Sequence, residues 1–178
     1  MVWGAFCQRG TSPLMILEGH QNSTAYMKTL EEGLLPFAAQ KYGNNWIFQQ
    51  DRASIHTSGA TMEWMEQHNM EVLDWPSRSP DLNPIENLWG SLVRRVYAGG
   101  RQFQSVHQLK VFLHEWSRFP TEELINLVGS MPKRCQALLE GTGTRPSTEK
   151  SKATRVSHNI RNETAWLYIH WGKDKIRP

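Results

Sequence analysis

The stretch NWIFQQDRASIHTS, residues 45–58, indicates the class of fold, because a carboxylate directly follows an apolar strand. NWIFQQ (45–50) has the length and composition of a buried strand. A turn and a helix from about Thr57 to His68 are predicted after it. Asp51 should therefore stand at the carboxyl end of the strand. In open α/β sheets ligands bind beyond the carboxyl ends of strands, so Asp51 is a candidate site residue.

The rest of the body alternates strand and helix signals. VWGAFCQ (2–8) and PLMILEG (13–19) predict a hairpin, and MEVLDW (70–75) predicts another strand. Helix periodicity over 22–41, with Tyr26, Leu30, Leu34 and Phe37 on one face, predicts a helix that Gly33 and Pro36 should kink or break. After Gly99-Gly100 the chain becomes helical, with a Ser105/Gln108 capping box and further helices at about 121–128 and 131–139. The capping box is followed by an apolar stripe of Val106, Leu109, Phe112, Leu113 and Trp116. This order predicts an α/β sheet domain with helices packed over it.

Charge divides the chain in two. The 178 residues carry a net charge of +3, but residues 1–140 sum to −2 and residues 141–178 to +5. Residues 1–140 are predicted to form the domain, and 141–178 to form a basic tail. The composition of the tail predicts disorder, and the tail ends in the apolar run TAWLYIHW. That run fits a strand, a docking peptide or simply an apolar segment that adheres non-specifically. The tail's cations fit either phosphate contacts or a solvated segment.

Several classes of protein are disfavoured by composition. No run of about 18 apolar residues indicates a membrane span, and no signal peptide opens the chain. Cys7 and Cys135 lie far apart outside any CxxC pattern, so buried free thiols are predicted and a zinc site is not. The eight Trp residues are interpreted mainly as core.

SPDLNPIENLWG, residues 79–90, sets Glu86 in the first turn of a predicted helix. One interpretation is a cap: Asn83 as N-cap, Pro84 at the first helical position and Glu86 at the third. The other is a second site carboxylate, because this helix follows the next strand after Asp51. Hard oxygen ligands suit Mg²⁺ or Mn²⁺, and two such ions can promote attack on a phosphodiester. A metal-free acid and base pair, as in glycosidases, is a third possibility.

The residues themselves resemble a family. IFQQDRASIHTS, VLDWPSRSPDLNPIENLWG and MPKRCQALL are similar to the closing motifs of the mariner superfamily of DNA transposases, and the 34 residues between Asp51 and Glu86 match its Tc branch. The resemblance implies an RNase H-like fold in which Asp51 and Glu86 are the second and third catalytic carboxylates and bind Mg²⁺ or Mn²⁺, two ions in the intact site. It also implies DNA, the transposon ends, as partner, with a homodimer or a full-length transposase as a further partner. Action in the nucleus is implied, with no small-molecule cofactor.

One element of that family is missing from the sequence. The first catalytic Asp lies on an opening strand, usually before the VWGAF segment, and no acidic residue precedes VWGAF here. We therefore expect an RNase H-like sheet truncated at its amino-terminal side and a catalytically incomplete site. We also expect a gap between the hairpin and the Asp51 strand, or a different pairing of VWGAF. A relic that binds DNA or a partner without chemistry is the alternative function.

Four further residues are candidates for DNA contact. Arg52 would either pair with Asp51 or bind a phosphate. His56 would either contact a phosphate near the site or serve as a cap or packing residue. Arg94 and Arg95 form a basic pair that fits DNA backbone contacts, or a solvated helix face.

Overall fold

A computed structural model of the chain describes residues 1–74, 82–105, 107–108, 110, 113–140, 151, 154 and 165–172. The strands are β1 (Val2–Cys7), β2 (Gly10–Thr11), β3 (Met15–Ile16), β4 (Trp46–Gln49), β5 (Glu71–Val72) and β6 (Ala165–Gly172). The α-helices are α1 (Ser23–Thr29), α2 (Leu35–Tyr42), α3 (Gly59–Gln67), α4 (Ile85–Val96), α5 (Thr121–Gly129) and α6 (Met131–Glu140). A π-helical turn covers Leu30–Leu34, and 3₁₀ turns cover Ala98–Gly100 and Leu113–Arg118. No helix within these ranges is long and apolar enough to cross a bilayer.

One mixed sheet organises the molecule, in the order β2-β1-β6-β4-β5, with β3 also pairing with β1. β1 runs antiparallel to β2, β3 and β6, whereas β4 runs parallel to β5 and β6. The predicted mixed sheet with flanking helices is thus confirmed.

The position of β6 corrects two expectations. Of the two alternatives expected between the hairpin and the Asp51 strand, the gap is wrong, because β6 lies there and pairs with both β1 and β4; the different pairing of VWGAF is the one observed, since β1 pairs with this carboxyl-terminal strand. The predicted disordered tail over 141–178 is therefore wrong for residues 165–172, and the strand interpretation of the TAWLYIHW run is correct. Most of 141–164 lies outside the described residues.

The predicted hairpin forms, with its second strand in two short pieces. Ser12 separates β2 from β3 and binds Ala5 twice: its N–H donates to the Ala5 carbonyl and its Oγ accepts from the Ala5 N–H, both at 2.8 Å. The side-chain oxygen thus takes the acceptor role of the Ser12 carbonyl, which accepts instead from Trp116 Nε1.

Two apolar clusters cover the two faces of the sheet, and β1 contributes to both by alternation. Val2 and Phe6 join the cluster formed with α4, α5, α6 and the Leu113–Arg118 turn, whereas Trp3, Ala5 and Cys7 join the cluster formed with α1, α2 and α3. This is the period of two that a strand imposes. All six residues of β1 are buried, so β1 is an interior strand.

A tryptophan pair ties the helical part to the hairpin. The Trp89 and Trp116 rings stack with centroids 4.7 Å apart, and Trp116 Nε1 donates to the Ser12 carbonyl at 2.8 Å. Both residues are buried, which confirms the core interpretation for these two. Trp75 lies outside the described residues.

The helix boundaries agree with those predicted from the sequence, with two differences. The break predicted at Gly33 and Pro36 takes the form of the Leu30–Leu34 π-turn. Asn83 was predicted as the N-cap of the Glu86 helix, but α4 begins at Ile85 with Pro84 in the cap position and no side-chain cap bond. Glu86 is therefore the second helical residue, and Asn83 is buried.

The Ser105/Gln108 box is present in slightly altered form. Ser105 Oγ accepts from the Gln108 N–H at 3.2 Å, and Gln108 Oε1 accepts from the Gln104 N–H at 2.9 Å. The predicted apolar stripe beyond it falls partly outside the described residues, at 106, 109 and 112. Leu113 and Trp116, the other two members of that stripe, are buried.

Candidate active site

Asp51 lies two residues beyond the end of β4, at the carboxyl edge of the sheet as predicted. Its Oδ1 accepts from the Ala53 N–H at 3.0 Å and lies 2.5 Å from His56 Nδ1. Asp51 and His56 lie at the two ends of a turn, which is stabilised by a hydrogen bond from the His56 N–H to the Ala53 carbonyl at 2.9 Å. The carboxylate is 41% exposed and thus held on one side and open on the other.

His56 is a buried support for Asp51. Its side chain is 2% exposed, and its ring lies 4.1 Å from the Tyr26 ring, centroid to centroid. Tyr26 Oη donates to Gln50 Oε1 at 2.6 Å, and Gln50 Nε2 donates to the His56 carbonyl at 3.2 Å. Burial, and secondarily the charge of Asp51, raise the pKa of the Tyr26 hydroxyl well above its usual range. The hydroxyl therefore stays protonated and acts as a donor.

Sequence reasoning did not single out Tyr26 or Gln50 as parts of the site. Tyr26 appeared only as one member of a helical apolar stripe, which is the pattern of any core residue. Gln50 follows a buried strand and was assigned to it. One sequence signal could have identified Gln50: it is a polar residue directly before Asp51, and the last side chains of a strand lie at the edge of the sheet where ligands bind.

An open pocket of about 190 Å³ lies over Asp51. Arg52 and Asp74 line it, and Arg52 Nη1 lies 3.8 Å from Asp74 Oδ1 with both side chains about half exposed. Arg52 was predicted to pair with Asp51 or to bind a phosphate; the ion pair that the structure shows is with Asp74 instead. Solvent screens this pair, so it contributes little stability. The remaining lining residues are Gln50, Thr57, Met62, Val72 and Leu73.

Glu86 lies in the first turn of α4 and is half-buried. Its N–H donates to the Asn83 carbonyl at 3.1 Å. α4 is fixed by its apolar face, since Ile85, Leu88 and Trp89 are buried. Within the part of the chain that is described, no three His, Cys, Asp or Glu side chains lie close enough together to hold one metal ion.

The two arginines of α4 differ in their surroundings. Arg95 Nη2 lies 2.6 Å from Glu123 Oε2, and its guanidinium covers the Phe119 ring at 4.2 Å. Arg94 is exposed and donates to Ser91 Oγ at 2.9 Å. Arg95 thus joins α4 to α5, whereas Arg94 faces solvent.

The donors at this site match Mg²⁺ or Mn²⁺ in type but not in number. An exposed carboxylate that is oriented by a backbone N–H and a buried imidazole is a suitable hard ligand. A site that clamps two ions needs more carboxylates than the described residues bring together.

A mixed sheet with helices on both faces, and a carboxylate beyond the end of an inner parallel strand, agree with the RNase H-like α/β domain that the sequence motifs imply. The family described as DDE superfamily endonuclease matches residues 1–110. The chain belongs to that family.

Curated relatives and solved structures agree with this assignment. The Tc3 transposase of Caenorhabditis elegans is 40% identical over 144 residues, which are 80% of this chain and 44% of that protein. The Tc1 transposase of the same organism is 36% identical over 143 residues, 80% of this chain and 52% of that protein. The Mos1 transposase catalytic domain solved with raltegravir and Mg aligns with a TM-score of 0.65 and 26% identity, over 75% of this chain and 69% of that one. The chain spans about half the length of the curated relatives it matches.

Proposed function

We propose that this chain is part of a transposase catalytic domain that acts on DNA phosphodiesters, with Asp51 and Glu86 as its metal-binding carboxylates. We further propose that the 178-residue chain does not complete that reaction. Support comes from the transposase relatives, from Mos1 structures that contain Mg or Mn, and from the Mos1 paired-end complex with Mn.

The observation that carries the proposal is the fixed orientation of the Asp51 carboxylate just beyond β4. Asp51 is oriented through Oδ1 by the Ala53 N–H and by His56, and its side chain opens into a pocket. When bound, a divalent cation supplies charge stabilisation at phosphodiester oxygens and lowers the pKa of an attacking water. The chain's own contribution is to bind that ion through Asp51 and Glu86 and to fix Asp51 by means of the buried His56.

Incompleteness is proposed from the strand that stands beside β4. β6 has the sequence AWLYIHWG, which contains no Asp or Glu. β6 therefore brings no third carboxylate to the site, and Asp74, which follows β5 and lines the pocket, forms an ion pair with Arg52. With two acids, one ion should bind weakly, in the millimolar range or above. Losing several kcal/mol of transition-state stabilisation lowers the rate roughly a thousandfold or more.

The test is a metal-dependent cleavage assay on transposon-end DNA with Mg²⁺ and Mn²⁺. The 178-residue chain is compared with its Asp51→Ala and Glu86→Ala variants, and Mn²⁺ affinity is measured in parallel by calorimetry. We expect no cleavage by any of the three proteins, and weak Mn²⁺ binding by the parent that Asp51→Ala abolishes. Cleavage by the parent that both substitutions remove would refute incompleteness, and Mn²⁺ binding that survives Asp51→Ala would refute the site.

For DNA contact we retain Arg94 as the better of the two arginines, because Arg95 is engaged by Glu123 and Phe119. His56 is almost fully buried, which favours its packing role over a phosphate contact. We also propose that the partners of the chain are transposon-end DNA and either a second copy or a full-length transposase. Its site of action is proposed to be the nucleus.

A second candidate function is a domesticated domain that binds DNA or a partner without chemistry. The absence of acidic residues from β6 favours it. DNA binding by the parent that is unaffected by chelation, together with no cleavage, would distinguish this function from the first.

A further inference from the structure

β1 and β4 do not pair with each other, and the space between them is here called the β1–β4 slot. β6 occupies the slot: five of its residues pair with β1 and four with β4. All of β1 and three of the four residues of β4 are buried. An empty slot would leave two rows of backbone N–H and C=O groups without partners in the middle of the core.

The chain neighbours of β6 do not dictate where it lies. The end of α6 at Glu140 and the start of β6 at Ala165 are separated by 24 residues. A segment of that length spans up to roughly 80 Å when extended. The place of β6 in the sheet is thus determined by the two ladders it makes rather than by a short connection.

We propose that the β1–β4 slot is a strand-binding site and that the chain's own β6 is the ligand that fills it. The ligand is an extended segment that runs antiparallel to β1 and parallel to β4, so its direction is specified as well as its place. Its backbone must offer donors and acceptors on both edges, which excludes proline within it. This mode of recognition is β-augmentation at two edges at once.

The register with β1 provides a geometric test of occupancy. Both backbone groups of Ala5 bond to Ser12, so they point away from β6. Ala5 and its partner Ile169 are therefore a pair without mutual backbone hydrogen bonds. The Cα atoms of such pairs lie about 4.5 Å apart, within the range that a disulfide bridges.

The first experiment is disulfide trapping in the full chain. Ala5→Cys/Ile169→Cys should oxidise to an intrachain disulfide, mapped by mass spectrometry, with Cys7 and Cys135 still reduced. The matched control is Ala5→Cys/Leu167→Cys, two positions out of register, where the diagonal distance of about 7–8 Å is too long. An interchain 5–169 bond would show that a second copy fills the slot and overturn the proposal. Equal trapping by both variants, or by neither, would overturn it too.

The second experiment asks whether the slot binds a strand added from outside. Tyr168 pairs with both Phe6 and Gln49, so Tyr168→Pro in the full chain should free the slot, whereas Tyr168→Ala keeps the N–H. A fluorescent peptide of residues 163–174 should bind the Pro variant at least tenfold more tightly than the parent or the Ala variant, measured by anisotropy. No binding to the Pro variant, or equal binding to all three, would refute a strand-binding site.

Discussion

At the scale of single residues, the pair of Asp51 and His56 is the feature on which the candidate site depends. An exposed carboxylate with several rotamers is a poor metal ligand until something fixes it. Here a backbone N–H and a buried ring hold the same oxygen, Oδ1, and the ring is itself fixed by Tyr26. The site's rigidity therefore originates in the core.

His56→Ala is expected to lower the free energy of unfolding by about 2–4 kcal/mol, because it leaves a cavity beside Tyr26 and removes a buried partner of Asp51. Chemical denaturation measures the change. Thr57→Ala is the matched control, since Thr57 is exposed and should alter stability by no more than about 0.5 kcal/mol. Equal effects of the two substitutions would contradict a supporting role for His56.

The residues of the site were predictable from sequence to different degrees. Asp51 follows a strongly apolar strand, so its place at the sheet edge could be predicted from pattern alone. Its supports Tyr26 and Gln50 could not, because a helix stripe and a strand end look the same whether or not their polar atoms meet. The ion pair of Arg52 with Asp74 depends on the pairing of β4 with β5, which short strands specify weakly.

At the scale of elements, the break between α1 and α2 is set by a close approach rather than by flexibility. A Cβ at Gly33 would lie 2.5 Å from Met15 Sδ and 2.7 Å from the Trp3 ring. The π-turn thus brings the helix backbone directly against β1 and β3, and only glycine leaves room for that contact.

Gly33→Ala should therefore destabilise the protein by about 1–3 kcal/mol through overpacking. Gly59→Ala in α3 is the control, because no atom lies within 4 Å of its added Cβ and alanine favours the helix by up to about 1 kcal/mol. Thermal denaturation of both variants measures the difference. If Gly33→Ala were as stable as Gly59→Ala, the close contact would be refuted.

The position of β6 beside β4 leads to a prediction about metal binding. The last pair of β4 with β6 is Gln49 and Tyr168, so Asp51 and His170 each lie two residues beyond that pair. Adjacent residues of paired strands share a face of the sheet. His170→Asp is thus expected to tighten Mn²⁺ binding about tenfold by adding a carboxylate to the ligand set.

Calorimetric titration with Mn²⁺ measures that gain. His170→Asn, similar in size to the Asp variant but uncharged, should bind as the parent does, and Asp51→Asn combined with His170→Asp should lose the gain. A His170→Asp protein with unchanged affinity would show that β6 does not bring this position to the site.

The elements themselves were predicted unevenly, for a physical reason. β1, β4 and the helices carry local signals of period, caps and turns, and they appear where those signals place them. β6 carries a short apolar run with the same local signal as a docking peptide. Its role depends on the β1–β4 slot, which is formed by residues more than a hundred positions away. The local sequence of β6 therefore does not predict its pairing partners.

At the scale of the whole molecule, stability should depend on pH through a buried thiol. Burial raises the pKa of Cys135 from 9.0 to about 11. In the unfolded chain the thiol ionises at lower pH than in the folded protein, so alkali favours unfolding. The contribution is present in full below pH 9 and is lost as the pH rises through about 11.

Urea denaturation at pH 8 and pH 10.5 tests this expectation. The parent should lose more stability between the two values than Cys135→Ala, which lacks this thiol, whereas Cys7 and the other groups that titrate in alkali are common to both proteins. The same loss in both proteins would mean that Cys135 is not protected in the folded state.

The place of β6 also has a consequence for how the molecule acquires its structure. The pair Phe6 and Tyr168 joins residues 162 positions apart, so the sheet closes only after β6 has been synthesised. Such distant pairing slows folding, because the chain must close a long loop before the contact rewards it. During synthesis, the hairpin and the Asp51 strand emerge well before the strand that joins them. Nascent chains should therefore spend that interval with two open edges, when chaperones can bind them and neighbouring copies can aggregate with them.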